Sequence, residues 1–164
     1  MKEIRNILCF STKAFKEAIK NLDSFQSVAC ISMGSDHWYP EKCSNVFNLD
    51  IEDSSPANDI YNKALDLFLK GKIKESNELF GKSLNYEQAF ELAKWIDYQI
   101  KYCHTFYIHC DAGLSRSQGV VRYIRDTYGN IFSIRTNPNN PCLTPNAHVV
   151  MMLNRYWMYL YKLK

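Results

Sequence analysis

No stretch of this chain stays apolar for the roughly 20 residues that a membrane-spanning helix requires. Met1 to Phe10 is also too short and too charged for a secretory leader. Internal repeats and low-complexity segments are missing as well, which leaves an ordinary globular architecture. Basic charge is not clustered: a net charge of +3 and a pI near 8.5 suit an anionic substrate but fall short of a dedicated nucleic-acid binder. The six cysteines (Cys9, Cys30, Cys43, Cys103, Cys110 and Cys142) are scattered, several in strand-like apolar runs. Without a leader to carry them to an oxidising compartment, they are expected to be reduced thiols of a cytoplasmic protein. With 164 residues, 46% hydrophobic and 14% aromatic, the chain fits one compact domain and leaves no room for a second.

Periodicity and turn residues place the elements. EIRNILCFS reads as a strand over Arg5 to Phe10. Ser11 is the expected N-cap of the helix STKAFKEAIKNL, where Phe15, Ala18, Ile19 and Leu22 recur at helical spacing. VACISM, from Val28 to Met33, is a buried strand closed by Gly34 and Ser35. NVFNLDI is a third strand, ending near Ile51 before the polar turn EDSSP. Ala57 to Phe80 is helical, with Leu65, Phe68 and Leu69 on one face and a break at Gly71. Asn85 and Gln88 have capping-box spacing ahead of a helix that turns Phe90, Ala93, Ile96 and Ile100 toward a core. The strand TFYIH then leads through a loop to the helix SQGVVRYIRDTYG, stopped by Gly129. After the Pro- and Asn-rich loop TNPNNPCLTPN, a last helix runs through PNAHVVMMLNRYWMYLYKL.

Strands alternating with helices indicate an α/β fold: a single domain spanning 1–164, with a central, mainly parallel sheet of four to five strands flanked by helices and a helical insertion at about 57–84. Ligands in such folds collect where strands deliver their C-terminal ends. Three loops are therefore expected to converge: Gly34 to Pro40, Glu52 to Asn58, and Asp111 to Arg116.

The third of these carries the chemistry. Residues 108 to 118 read IHCDAGLSRSQ: a strand, a cysteine, five residues, then an arginine at the start of a helix. A phosphate ester resists hydrolysis because the nucleophile meets a dianion and the leaving group is poor. An ionised nucleophile, donors for the phosphoryl oxygens and an acid for the leaving oxygen overcome this. A cysteine works as its thiolate, the form that helix N-termini and neighbouring arginines favour, and Cys110 stands where both are found. The intervening residues can curl their N–H groups into an anion-binding nest, with Gly113 easing the turn and Arg116 offering a planar fork. Ser117 is positioned to hydrogen-bond the sulfur. At average residue usage, His-Cys-x-x-Gly-x-x-Arg-Ser should arise by chance in on the order of one in 10⁵ chains of this length.

Metal binding is the rival reading, because CHTFYIHC gathers Cys103, His104, His109 and Cys110. A strand from His104 to His109 would separate the two ends by roughly 17 Å, too far for one ion. His104 is accordingly expected in a turn or at the surface, and Cys103 as a buried structural thiol.

HCDAGLSRS resembles the signature loop of the protein tyrosine phosphatase superfamily, the Cys-x5-Arg enzymes, and in particular the dual-specificity branch and its short bacterial, phage and viral members. FNLDIEDSSPANDI is similar to the segment of those enzymes that bears the general acid, and ISMGSD to the strand before it; the likeness runs from about Val28 to Asp126. It implies that Cys110 forms a phosphocysteine intermediate, that Arg116 and the N–H groups of Asp111, Ala112, Gly113, Leu114 and Ser115 bind the phosphoryl group, and that Ser117 assists its hydrolysis. His109 would order the loop, and no metal or other cofactor would be needed. Asp53 is the first choice of general acid, with Asp50 and Asp36 as alternatives. The insertion around YNKALDLFLKGKIKESNELF departs from compact relatives and stands where it would shape substrate access.

The function so implied is a protein phosphatase acting on phosphotyrosine, with phosphoserine and phosphothreonine as a second class. Its partner is a phosphorylated protein or peptide, with neither nucleic acid nor membrane involved, and the chain is expected to be a monomer. Lipid or RNA phosphatases share the loop but usually carry basic residues inside it, where this chain has Asp111, Ala112, Gly113, Leu114 and Ser115. Arsenate reduction needs resolving thiols, for which only Cys103 and Cys142 are available, and a non-catalytic phosphate-binding module is the remaining alternative. Trp38 and Tyr39 are read as structural, with stacking on a phosphotyrosine ring as the other role. Phe90, Trp95, Met151, Met152 and Leu153 read as core, and Lys70, Lys72, Lys74 and Lys82 as a solvated face.

Overall fold

The structure is a computed structural model that describes residues 1–137 and 144–162. Most of the Pro- and Asn-rich loop, including Cys142, lies outside the described residues. Five strands form one all-parallel sheet: β1 (Ile4–Ser11), β2 (Val28–Met33), β3 (Val46–Leu49), β4 (Thr105–Cys110) and β5 (Ser133–Thr136), in the order β3-β2-β4-β1-β5. The helices are α1 (Thr12–Lys20), α2 (Asn58–Leu69), α3 (Ile73–Glu78), α4 (Tyr86–Gln99), α5 (Arg116–Tyr128) and α6 (Ala147–Lys162). Both faces of the sheet are covered, as an all-parallel sheet requires. Among the described residues no helix is long and apolar enough to cross a membrane.

Strand alternation divides the interior into two cores. Ile7 and Cys9 of β1, Ala29, Ile31 and Met33 of β2, and Phe106, Ile108 and Cys110 of β4 face the larger one, with α4, α5 and α6. Val28 and Cys30 face the smaller one, where Phe15 and Ile19 of α1 cover the sheet. Because the period is 2, the adjacent residues His109 and Cys110 point to opposite faces. That parity separates their roles.

Local signals explain most boundaries. The Ser11 hydroxyl accepts from Ala14 N at 3.2 Å and starts α1. Asn85 and Gln88 complete a reciprocal capping box at α4. Phe90, Ala93, Ile96 and Ile100 are buried, as are Met152 and Leu153, while Trp95 and Met151 pack partly buried against the same core. Lys70, Lys72, Lys74 and Lys82 are exposed.

Four expectations are revised. β5 was not identified from sequence: its four residues alternate between exposed and half-buried on the edge beside β1, too short a run to register. β3 ends at Leu49 rather than near Ile51, so Asp50 and Ile51 already belong to the loop. On α2 the core-facing stripe is Tyr61 and Ala64, both buried, with Leu65 and Phe68 packed half-buried beside them, whereas Leu69, at the C-terminal end of the helix, is 53% exposed. Gly129 caps α5 with an ordinary right-handed φ of −61°, so the left-handed geometry of a usual glycine stop is not used there.

The insertion at 57–84 buries Tyr61, Ala64, Phe80 and Leu84 in the larger core, and one histidine hydrogen-bonds it to α6. His148 Nε2 lies 2.8 Å from the Leu84 carbonyl, which can only accept, so Nε2 carries the proton. Nδ1 then accepts from the Tyr61 hydroxyl at 2.8 Å. Tyr86 donates its hydroxyl to the Tyr61 carbonyl at 3.1 Å. Removing the Tyr61 hydroxyl orphans a buried acceptor, which costs about 1–3 kcal/mol. Tyr61→Phe is therefore expected to lower the unfolding free energy by that amount, read in equilibrium unfolding as a lower urea midpoint with an unchanged m-value.

Candidate active site

β4 is the central strand, and its last residue, Cys110, pairs with Ser11 of β1 and Met33 of β2. After five intervening residues α5 begins at Arg116, so loop 111–115 sits at the C-terminal edge of the sheet. Gly113 makes so short a return possible. Its φ is +70°, and a Cβ there would lie 2.4 Å from the Phe10 carbonyl carbon and 2.5 Å from Ser11 N. The loop leans on the backbone of β1 where only hydrogen fits. On the other side, a Cβ on Gly34 would meet Asp111 Oδ1 at 2.6 Å, so the end of β2 also presses against it.

Within the loop, Cys110 Sγ lies 3.2 Å from Ser117 Oγ, and both residues are buried. Arg116 is 7% exposed; its Nη2 donates to Asp111 Oδ2 at 2.7 Å and its Nη1 to the Ile51 carbonyl at 2.5 Å. The Arg116 Nε has no partner among the described residues. A buried guanidinium N–H without an acceptor is a costly arrangement, which an anion in the loop would relieve. Ser115 is the N-cap of α5, yet its side chain makes no capping bond. It donates instead to Asp53 Oδ1 at 2.9 Å.

Asp53 is thereby brought to the loop. Its Oδ1 also accepts from Asn146 Nδ2 at 2.6 Å, while Asn146 N donates to the Ser115 carbonyl at 3.0 Å and Asn146 Oδ1 accepts from Val149 N at 3.0 Å. One asparagine thus joins the carboxylate, the loop and the start of α6. The turn carrying Asp53 is backed by the insertion: Glu52 N donates to the Lys82 carbonyl at 2.9 Å, and Ser54 and Ser83 share a hydroxyl contact of 2.7 Å. Asp50 is exposed at the end of β3. Asp36 pairs with Lys16 at 2.5 Å, and that ammonium holds its carboxyl below the usual range, unfavourable for a group that must carry a proton.

His109 points the other way, stacking on Phe15 at 4.2 Å with Nδ1 3.1 Å from Thr12 Oγ1. Thr12 Oγ1 also reaches the Cys110 carbonyl at 3.5 Å. Its place is behind the loop, holding the end of β4 to the start of α1. Burial strips water from the imidazolium and lowers the pKa to about 4.

Sequence reasoning overlooked three contributors. Cys9 Sγ lies 3.0 Å from Ser117 Oγ and donates to the Gly113 carbonyl at 3.4 Å, so Ser117 stands between two sulfurs. Its signal was the parity it shares with Ser11, the residue paired with Cys110. Thr12 and Asn146 read only as residues at helix starts. Of the rim aromatics, Tyr39 packs edge-on against Phe15, whereas Trp38 is 45% exposed. The metal reading is overturned by geometry, since His104 is engaged by Arg5 at 3.1 Å before β4 begins and Cys110 ends that strand. The chain matches no protein-family model, no curated protein and no solved structure.

A pH dependence follows from His109. Its native pKa lies below the ordinary 6.5, so above 6.5 both folded and unfolded forms are neutral. As pH falls from 6.5 toward about 4 the unfolded chain takes up the proton first, and stability declines across that window. His148, also lowered by burial, acts in the same direction. Tm is expected to drop through this range in the wild type and less steeply in His109→Asn, measured by thermal unfolding at matched ionic strength.

Proposed function

We propose that the chain is a cysteine-dependent phosphomonoesterase of the dual-specificity type, acting on phosphotyrosine in proteins or peptides, with phosphoserine and phosphothreonine as a second class. One observation carries this reading: the loop that keeps the Cys110 sulfur 3.2 Å from the Ser117 hydroxyl also holds a buried guanidinium with an unpartnered Nε. A nucleophile, a donor for it and a planar cation for phosphoryl oxygens are the groups that attack on phosphorus needs.

The thiolate of Cys110 attacks phosphorus, forming the S–P bond as the P–O bond to the leaving group breaks. Asp53 delivers a proton to the departing oxygen. Its Oδ1 is taken by Ser115 and Asn146, which leaves Oδ2 for that proton. Arg116 exchanges its contact with Asp111 for two phosphoryl oxygens. Water then attacks phosphorus, Asp53 accepts its proton, the S–P bond breaks, and the Ser117 hydroxyl donates to the returning sulfur as inorganic phosphate leaves. The scheme uses no metal and no other cofactor.

The charge around the loop supports a single phosphate on a protein chain over a polyanionic lipid or RNA. The Asp111 side chain is 65% exposed, Glu52 and Asp53 are exposed, and Lys16 is already paired with Asp36. Leu114 adds an apolar contact at 57% exposure. A cytoplasmic monomer is the form proposed.

Hydrolysis of p-nitrophenyl phosphate by the reduced protein in the presence of a chelator tests the proposal. Cys110→Ser is expected to lose at least about 10³-fold in kcat, and vanadate to inhibit the wild type. Turnover that survives in Cys110→Ser would overturn the mechanism. Asp53→Asn is expected to slow a phosphoserine peptide by about 10²–10⁴-fold. It should slow the nitrophenyl ester far less, because that leaving group departs without a proton.

A further inference from the structure

On the sheet face opposite Cys110, two other sulfurs meet. Cys43 Sγ and Cys30 Sγ lie 3.7 Å apart in the smaller core, among Phe15, Ile19, Phe25 and Val28. Their backbones are fixed. Cys30 N donates to the Asn45 carbonyl at 2.8 Å, Asn45 Nδ2 donates to the Val28 carbonyl at 3.2 Å, and Cys43 N donates to the Pro40 carbonyl at 2.9 Å. A disulfide needs about 2.05 Å between sulfurs, so closure requires a shift of under about 2 Å, within the range of side-chain rotation.

Two small apolar side chains filling a core would be the plain reading of the pair. The two thiols are not equivalent, however. Cys30 is fully buried while Cys43 is 8% exposed at the loop edge. In the resting pair the Cys43 thiol donates to the Cys30 sulfur; once Cys43 loses its proton the Cys30 thiol can turn and donate to it, which favours the thiolate at Cys43 and the thiol at Cys30. The residue nearer solvent is thus the one suited to ionise, and its partner is already in contact. A reactive cysteine with a resolving cysteine needs that division.

We propose that Cys30 and Cys43 are a peroxide-sensitive thiol pair whose reversible disulfide pins the loop between β2 and β3 to the sheet. The Cys43 thiolate attacks a peroxide oxygen, the S–O bond forms, the O–O bond breaks, and hydroxide leaves to take up the proton Cys43 had released. Cys30 sulfur then attacks the sulfenic sulfur, the S–S bond forms, the S–O bond breaks, and water leaves with the Cys30 proton. Two thiols lose two electrons and one peroxide becomes two waters. A dithiol reductant reverses the exchange.

The bond would close a loop with its ends 13 residues apart that carries Asp36, His37 and Trp38 to the edge of the sheet where Cys110 lies. Lys16 holds Asp36 and Ser32 holds His37 there, and Tyr39 packs on the same Phe15 ring that stacks on His109. Oxidation of the pair thus ties the substrate-side loop to its strand without touching the phosphate loop.

The test uses the full chain with Cys110→Ser, so that the phosphate-loop thiol cannot contribute. The folded protein is treated with hydrogen peroxide, free thiols are alkylated, and the unreduced digest is mapped by mass spectrometry. A Cys30 peptide joined to a Cys43 peptide, two hydrogens lighter than the sum and released by dithiothreitol, is the expected result. Tm should rise on oxidation, because a cross-link restricts the unfolded chain, and adding Cys43→Ala should abolish that rise. Recovery of Cys30 and Cys43 as alkylated thiols, or linkage of either to another cysteine, would overturn the pairing. A link without a rise in Tm would overturn the pinning of the loop.

Discussion

The site depends on one backbone approach. Between the end of β4 and the start of α5 the chain has five residues in which to reverse, and it does so by laying Gly113 against the Phe10–Ser11 peptide, where a Cβ would lie 2.4 Å from a carbonyl carbon. Since β1 is the hydrogen-bonded neighbour of β4, the loop is braced by the strand that also aligns Cys110. The brace fixes the backbone of the turn, while the Arg116 side chain is held separately by Asp111 and the Ile51 carbonyl.

From that brace the other parts take their positions by parity. Cys110 falls on the face of the larger core and meets Ser117 of α5, while His109 falls on the opposite face and meets Phe15 and Thr12 of α1. The strand end is thus gripped from both faces, which explains how a histidine adjacent to the cysteine can order the loop without facing a ligand. Burial keeps that histidine neutral above pH 6.5.

The insertion has a supporting role. Its return segment backs the Glu52–Ser54 turn, and His148 couples its base to α6, the helix that Asn146 begins. Asn146 and Ser115 then converge on one oxygen of Asp53. The carboxylate therefore reports on three separate parts of the chain, and a change in any of them alters its placement. On the other side of the sheet, the Cys30 and Cys43 sulfurs hold the loop between β2 and β3 to β2 by contact alone.

Much of this was legible in one dimension. The α/β alternation, the caps at Ser11 and Asn85, and the strand–cysteine–arginine–helix order are local, because hydrogen-bonding periodicity and turn chemistry act within a few residues. Spacing alone also made Cys110, Arg116 and Ser117 the candidate reacting set. What lay beyond the sequence was every contact between distant segments. The edge strand β5 becomes a strand only because β1 offers it a partner, and Cys9, Thr12 and Asn146 gain meaning only from what folding sets beside them. Of the three aspartates, Asp53 meets donors 62 and 93 residues away beside the loop, while Asp36 meets an ammonium 20 residues away, and no local pattern shows either contact. Local sequence determines which groups a loop carries; the packing of strands and helices, which maximises burial across the whole chain, decides which groups face one another.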